Sequence, residues 1–177
     1  MQKKSTSLRI ATAAIVAAAY AALTIVLAPI SYGAIQFRVS EVLTILPFFI
    51  PSSVLGLLIG CIIANLYTGS VIDIVFGSLA TLLAGLLTAR FGKKGNTAKN
   101  RLLACLMPVV FNAVIVGAVL TWGYQIQEFG SPLASYAFNA LTVGLGEAGV
   151  LYLIGYPLMI RLPKIAFFRD FFEKVNR

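Results

Sequence analysis

The 177-residue chain is 59% hydrophobic and only 11% charged, with a mean hydropathy of +0.92, whereas soluble domains carry about 25% charged residues. This composition excludes a water-soluble fold and predicts an integral membrane protein of one domain, 1–177. The net charge of +8 does not indicate nucleic-acid binding, because the basic residues lie between apolar segments. The absence of histidine, with only two cysteines, argues against an enzyme or a metal site.

The first apolar segment predicts a retained transmembrane helix at 8–28. It is uncharged from Ile10 to Ala28, which is longer than the roughly 7 to 15 residues of a cleaved signal core. At about 1.5 Å per residue it nearly spans the roughly 30 Å hydrocarbon core of a bilayer.

The next apolar stretch, 35–67, is interrupted by Pro47 and Pro51 and could form one kinked helix or two short helices. The basic residues decide between them. With a break at the prolines, both chain ends and the loop 90–101 share one side of the membrane, which then holds thirteen of the fourteen Lys and Arg residues. The positive-inside rule therefore favours two helices, 35–50 and 52–67, although the first is short for a membrane span.

Three longer apolar segments complete the bundle at 73–90, 102–122 and 136–160. The predicted fold class is an all-α membrane protein, a bundle of six transmembrane helices with cytoplasmic N and C termini. A short amphipathic tail follows, with phenylalanines at helical spacing from Phe167 to Phe172. The tail either lies at the lipid interface or packs on the bundle as a helix end.

The first helix carries small residues at four-residue spacing, namely Ala14, Ala18 and Ala22. Such a face lets a second helix approach closely in lipid, where no hydrophobic driving force joins helices. The face is either a docking surface for a partner protein or part of the packing within the bundle.

Three acidic residues, Glu41, Asp73 and Glu147, lie within or at the ends of apolar segments, toward the outer half of the predicted bundle. Charges there are costly, and by default they mark a substrate or ion path. Asp73 has the alternative role of a helix N-cap. Arg38 precedes Glu41 by three residues, so the two could instead form a structural ion pair on one helix face.

Amides and aromatic rings add candidate contacts. The amides of Asn65, Asn112 and Asn139 can donate and accept hydrogen bonds, although such side chains also hold helices together. Tyr67 and Trp122 could wall a pocket for a planar ring or belong to the aromatic belt of the membrane surface. The residues together indicate capture of a small polar molecule that is cationic or rich in amides.

Five ordered motifs carry a resemblance to a known family. They are APISYGAIQFRVSEVLTILPFF at 28–49, GLLIGCIIAN at 56–65, DIVFGSLAT at 73–81, PVVFN at 108–112 and VGLGE at 143–147. Over nearly its whole length the chain resembles the queuosine-precursor transporter (QueT) family. Members of that family are substrate-binding S components of energy-coupling factor (ECF) transporters.

The resemblance implies a subunit that captures a 7-deazaguanine, such as 7-aminomethyl-7-deazaguanine or queuine, at the outer face of a bacterial cell membrane. It also implies a scaffold subunit and two ATPases as partners, so that the partners use ATP and this chain needs no cofactor. The alanine face of the first helix would then dock onto the scaffold. An S component for another vitamin-like solute and a stand-alone ion-coupled carrier are the alternatives.

The chemistry of a deazaguanine agrees with the candidate residues. One carboxylate can accept both its N1–H and its exocyclic amino group, and a second acid can pair with its aminomethyl ammonium. Ring acceptors need donors, which amide and guanidinium groups supply. The predicted binding residues are Glu41, Glu147, Asp73, Arg38, Gln36, Asn65, Asn112, Tyr67 and Trp122.

Overall fold

The computed structural model describes residues 2–31 and 37–176. Within them the chain forms the helices α1 (Gln2–Val26), α2 (Ser53–Thr68), α3 (Asp73–Lys93), α4 (Ala98–Gly123), α5 (Pro132–Lys164) and α6 (Ala166–Asn176). A helical turn, Ala28–Ser31, follows α1, and a 3₁₀ helix, Val39–Phe48, precedes α2. In this part of the chain α1, α3, α4 and α5 are long and apolar enough to cross a membrane, and the 3₁₀ helix and α2 are shorter apolar helices. The all-helical class is confirmed.

Both ends of the described chain meet at one end of the bundle. The Arg9 Nε donates to the carbonyl oxygen of Val175 at 2.9 Å, and the Asn176 Nδ2 donates to that of Phe49 at 2.8 Å. The turn that joins the 3₁₀ helix to α2 begins at Phe49. This arrangement fits the predicted topology, in which the six crossings and the cytoplasmic side of the termini remain predictions.

The 3₁₀ form extends the segment that is short for a membrane span. At about 2.0 Å per residue the ten residues of Val39–Phe48 reach about 20 Å, against about 15 Å for an α-helix. Side chains three residues apart eclipse one another in a 3₁₀ helix. Glu41, Thr44 and Pro47 accordingly form one buried face, and Arg38, just before the helix, continues it. This periodicity aims Arg38 and Glu41 at the bundle interior together.

Helices α1 and α2 approach closely because two glycines of α2 face alanines of α1. A Cβ at Gly56 would lie 2.4 Å from the carbonyl oxygen of Ala13, and a Cβ at Gly60 would lie 2.7 Å from that of Ala17. Glycines four residues apart are the usual means of close helix contact in membranes. Ala13 and Ala17, the inner alanines of α1, therefore pack within the bundle.

Helix α6 packs on the bundle with one face and exposes the other. Phe172 and Val175 are buried against Ile50, and the ring of Phe172 stacks on Phe49 with centroids 4.9 Å apart. Phe167, on the other face, is exposed. One face of α6, the amphipathic tail, therefore packs on the bundle.

Candidate functional site

A cluster of buried charges lies inside the bundle, between the 3₁₀ helix and α5. Glu41 and Glu147 are 1% and 2% exposed, and Arg38 is also buried. The two carboxylates interact electrostatically with each other and with the guanidinium. Transfer of each charged side chain from water to the bundle interior costs on the order of several kcal/mol. Two acids and one base leave a net charge of about −1 when all are ionised, which favours a cationic ligand.

Glu41 is held by a tyrosine of α1. Its Oε1 accepts a hydrogen bond from the hydroxyl of Tyr20, whereas its Oε2 has no hydrogen-bond partner among the described residues. Tyr20 is fully buried, and the sequence analysis missed it. The signal that could have identified it is a tyrosine in the middle of an alanine-rich span, far from the interfaces where aromatic belts lie.

Glu147 is held in the same way by an amide of α4. Its Oε1 accepts from the Nδ2 of Asn112 at 2.8 Å, and its Oε2 has no hydrogen-bond partner in the described chain. An unsatisfied buried acceptor costs about 1–3 kcal/mol, and more when it is charged. Each carboxylate therefore presents one oxygen that a ligand with N–H donors would satisfy.

Asn65 of α2 contributes a third acceptor of this kind. Its Nδ2 donates to the carbonyl oxygen of Asp73 at 2.9 Å and to the Cys61 Sγ at 3.4 Å, while its Oδ1 has no partner among the described residues. The Cys61 thiol in turn interacts with Tyr20 and Glu41, so Asn65 adjoins the charged cluster. Gly77 leaves room for the amide, since a Cβ there would lie 2.9 Å from the Nδ2.

Asp73 has a separate set of partners. Its carboxylate accepts from the Tyr124 hydroxyl at 2.5 Å, and its backbone N–H donates to the Oγ of Ser70 at 3.3 Å. Ser70 thus makes the hydrogen bond of an N-cap side chain, and Asp73 lies in the first helical turn, where a negative charge is favourable. The alternative role of Asp73 as the N-cap itself is wrong, because Ser70 supplies that contact. The Asp73 carboxylate thus pairs with Tyr124 at an exposed position, and the Tyr124 hydroxyl also interacts electrostatically with Arg38.

The aromatic candidates lie at the surface of the bundle. Tyr67 is 62% exposed and Trp122 is 53% exposed, with the Trp122 ring stacked on Tyr136 at a centroid distance of 5.1 Å. Trp122 lines an apolar cavity of about 580 Å³ between α3, α4 and α5, together with Phe76. The structure does not bring Tyr67 or Trp122 into the charged cluster.

The remaining predicted residues divide by their positions. Gln36 lies outside the described residues. Asn139 donates to Thr121 Oγ1 at 2.9 Å and to the carbonyl oxygen of Ile126 at 3.0 Å, which joins α5 to α4 and the loop after it. The side chains of the predicted docking face are exposed, in contrast to the inner alanines of α1; they are Ala14, Ala18 and Ala22.

A protein-family model described as the QueT transporter matches residues 10–164. The chain belongs to the QueT transporter family. A curated protein, the queuosine precursor transporter QueT of Lactococcus lactis subsp. cremoris (strain MG1363), is 46% identical over 83 residues, which cover 46% of this chain and 49% of that relative. The matched part of the chain thus spans about half the length of this relative. No solved structure matches the chain.

Membership confirms the resemblance that the five sequence motifs carry. It also fits the expectation of transport rather than catalysis, since QueT proteins form a transporter family. With four helices long and apolar enough to cross a bilayer in the described residues, the chain is a multi-pass protein of the cell membrane.

Proposed function

We propose that this QueT-family protein is the substrate-binding S component of an ATP-driven ECF importer and captures a queuosine precursor of the 7-deazaguanine class. The printed name of the curated relative, a queuosine precursor transporter, supports the substrate class. One observation carries the proposal. Glu41 and Glu147 are both buried, and each has one oxygen held by a neighbouring side chain while the other oxygen has no partner among the described residues.

A cationic deazaguanine has the donors that these acceptors lack. Its N1–H and exocyclic amino group are parallel donors for one carboxylate, and the ammonium of 7-aminomethyl-7-deazaguanine pairs with the other. The Oδ1 of Asn65 is a further acceptor at the edge of the cluster. The buried guanidinium of Arg38, whose Nε donates to the carbonyl oxygen of Ser31 at 3.3 Å, is the kind of donor that suits the O6 of the ring. The single positive charge of the ligand balances the net charge of the cluster.

The division of the alanines on α1 supports a docking role for the outer face. Ala13 and Ala17 contact the glycines of α2, whereas Ala14, Ala18 and Ala22 remain exposed. A smooth, small-residue face suits close approach of a helix from another protein within the membrane. In this proposal the partner is the ECF scaffold subunit, and two ATPases bound to the scaffold supply the energy.

Binding and uptake measured separately test this proposal. The chain is purified alone and with ECF scaffold and ATPase subunits, and both preparations are placed in vesicles and given labelled 7-aminomethyl-7-deazaguanine. We expect the isolated chain to bind the label and uptake to require both the partners and ATP. Uptake by the isolated chain along an ion gradient would instead support the carrier alternative, and displacement of the label by an unrelated vitamin would contradict the substrate class.

A further inference from the structure

Tyr20 connects the charged cluster to α1. Its side chain is fully buried and faces α2, where a Cβ at Gly60 would lie only 2.8 Å from the Cβ of Tyr20. Side chains in interiors packed this closely occupy well-defined rotamers. The position of the Tyr20 hydroxyl is therefore set by the contact between α1 and α2.

The fixed hydroxyl of Tyr20 determines the orientation of the Glu41 carboxylate. It donates to Oε1 of Glu41, and the second oxygen, Oε2, is buried without a partner among the described residues. Both oxygens are bonded to one planar carbon, so holding Oε1 sets the direction in which Oε2 points. Binding groups need this kind of support to stay within a few tenths of an ångström of the productive geometry.

A second contact joins the same two elements without touching a carboxylate. The Thr24 Oγ1 lies 2.6 Å from the Ser40 Oγ and 2.8 Å from the backbone carbonyl oxygen of Tyr20, and Thr24 and Ser40 are buried. Thr24 is one helical turn from Tyr20 on α1. Removal of the Thr24 hydroxyl takes away this contact between α1 and the 3₁₀ helix but not the side-chain hydrogen bond from Tyr20 to Glu41.

We infer that Tyr20 is a positioning residue for substrate binding, which aims Oε2 of Glu41 at the ligand by holding Oε1. The inference rests on the proposed function and deepens it. A ligand bound to Oε2 of Glu41 is thus connected to α1 through Glu41 and its hydrogen bond to Tyr20. The opposite face of α1 exposes Ala18 and Ala22.

The test compares two hydroxyl deletions on α1 by titration with 7-aminomethyl-7-deazaguanine. We expect Tyr20→Phe to weaken binding by about 10- to 100-fold, the range for loss of a hydrogen bond to a charged group. Thr24→Val, the matched control, should remain within about threefold of the wild type, because Thr24 contacts the backbone carbonyl of Tyr20 and the Ser40 hydroxyl but not the Glu41 carboxylate. Wild-type affinity of Tyr20→Phe would overturn the inference.

A double-mutant cycle separates positioning from general support of the fold. In a Glu41→Gln background, Tyr20→Phe should cost much less affinity than in the wild type, because the amide that Tyr20 then orients no longer presents an acceptor oxygen to the ligand. Equal losses in both backgrounds would show that Tyr20 acts only through packing and would overturn the inference.

A spectroscopic measurement keeps the inference testable where Tyr20→Phe does not fold. Incorporation of 3-fluorotyrosine at position 20 keeps the ring and the hydroxyl, and its fluorine resonance should shift on addition of 7-aminomethyl-7-deazaguanine. The shift should be absent in Glu41→Gln, and an unshifted resonance in the wild-type background counts against positioning. Failure of the wild type to bind would overturn the proposed function and this inference with it, whereas normal binding by Tyr20→Phe would overturn this inference alone.

Discussion

Replacement of Glu147 by glutamine tests the binding site with the smallest change in shape. The amide oxygen of Glu147→Gln can keep the hydrogen bond from Asn112, which is 2.8 Å long in the wild type. The amide nitrogen then takes the place of the unpartnered Oε2 and presents a donor to the donors of the ligand. Loss of one partner of a buried, charged hydrogen bond costs about 2–5 kcal/mol. At about 1.4 kcal/mol per decade, affinity should fall at least about 30-fold.

Isothermal titration with two ligands measures this loss and assigns the carboxylate. If Glu147 accepts from the ring edge, Glu147→Gln should weaken 7-aminomethyl-7-deazaguanine and its nitrile analogue, which lacks the ammonium, to a similar extent. If it pairs with the ammonium, only the first ligand should be affected. Asp73→Asn is the control and should keep near wild-type affinity, because the Asp73 side chain is hydrogen-bonded to Tyr124 at an exposed position, whereas Glu147 is buried.

The thermal stability of the ligand-free variant should move in the opposite direction from affinity. The unpartnered Oε2 is a buried, desolvated acceptor. Such an atom lowers the stability of the folded protein by about 1–3 kcal/mol or more. A neutral amide is less costly to bury, so the melting temperature of Glu147→Gln should equal or exceed that of the wild type. A large loss of stability in Glu147→Gln would show that Glu147 supports the fold. Wild-type affinity in both Glu147→Gln and Glu41→Gln would refute the carboxylate site.

Three further predictions concern docking, topology and packing. Ala18→Leu should abolish uptake by the assembled transporter but not binding by the isolated subunit, because the face is exposed; loss of both would contradict docking. Cysteine at Ala98 should resist an impermeant reagent in intact cells, whereas cysteine at Ser131 should react; the reverse pattern would invert the topology. Gly56→Ala should lower the melting temperature, since its Cβ would lie 2.4 Å from the Ala13 carbonyl oxygen and overpacking costs about 1–3 kcal/mol.

The sequence predicts the helical membrane class and the two central acids because both depend on residue type alone. Long uncharged segments are incompatible with a soluble fold. A charged residue inside such a segment is rare, so its position alone makes it a candidate for a functional site. Glu41 and Glu147 are found in this way without knowledge of which helices are neighbours. The structure then places both in one buried cluster.

The partners of those acids were less accessible to sequence reasoning. Tyr20 stands in an alanine-rich helix, and only the contact between α1 and the 3₁₀ helix shows that its hydroxyl reaches Glu41. Tyr67 and Trp122 fit a pocket by residue type, but the structure leaves both exposed. Pairings of this kind depend on residues distant in the chain, whereas sequence patterns report local periodicity.

The alanines of α1 show where the tertiary structure alone decides. Their spacing predicts small-residue faces on a helix, and Ala13 and Ala14 are equivalent by that criterion. The structure distinguishes them. Ala13 and Ala17 pack closely against the glycines of α2, whereas Ala14 and Ala18 are exposed. Composition and hydropathy therefore determine that the chain is a membrane-embedded helical bundle. The choice of neighbour for each face follows from steric fit between helices, which arises only when the whole chain is packed.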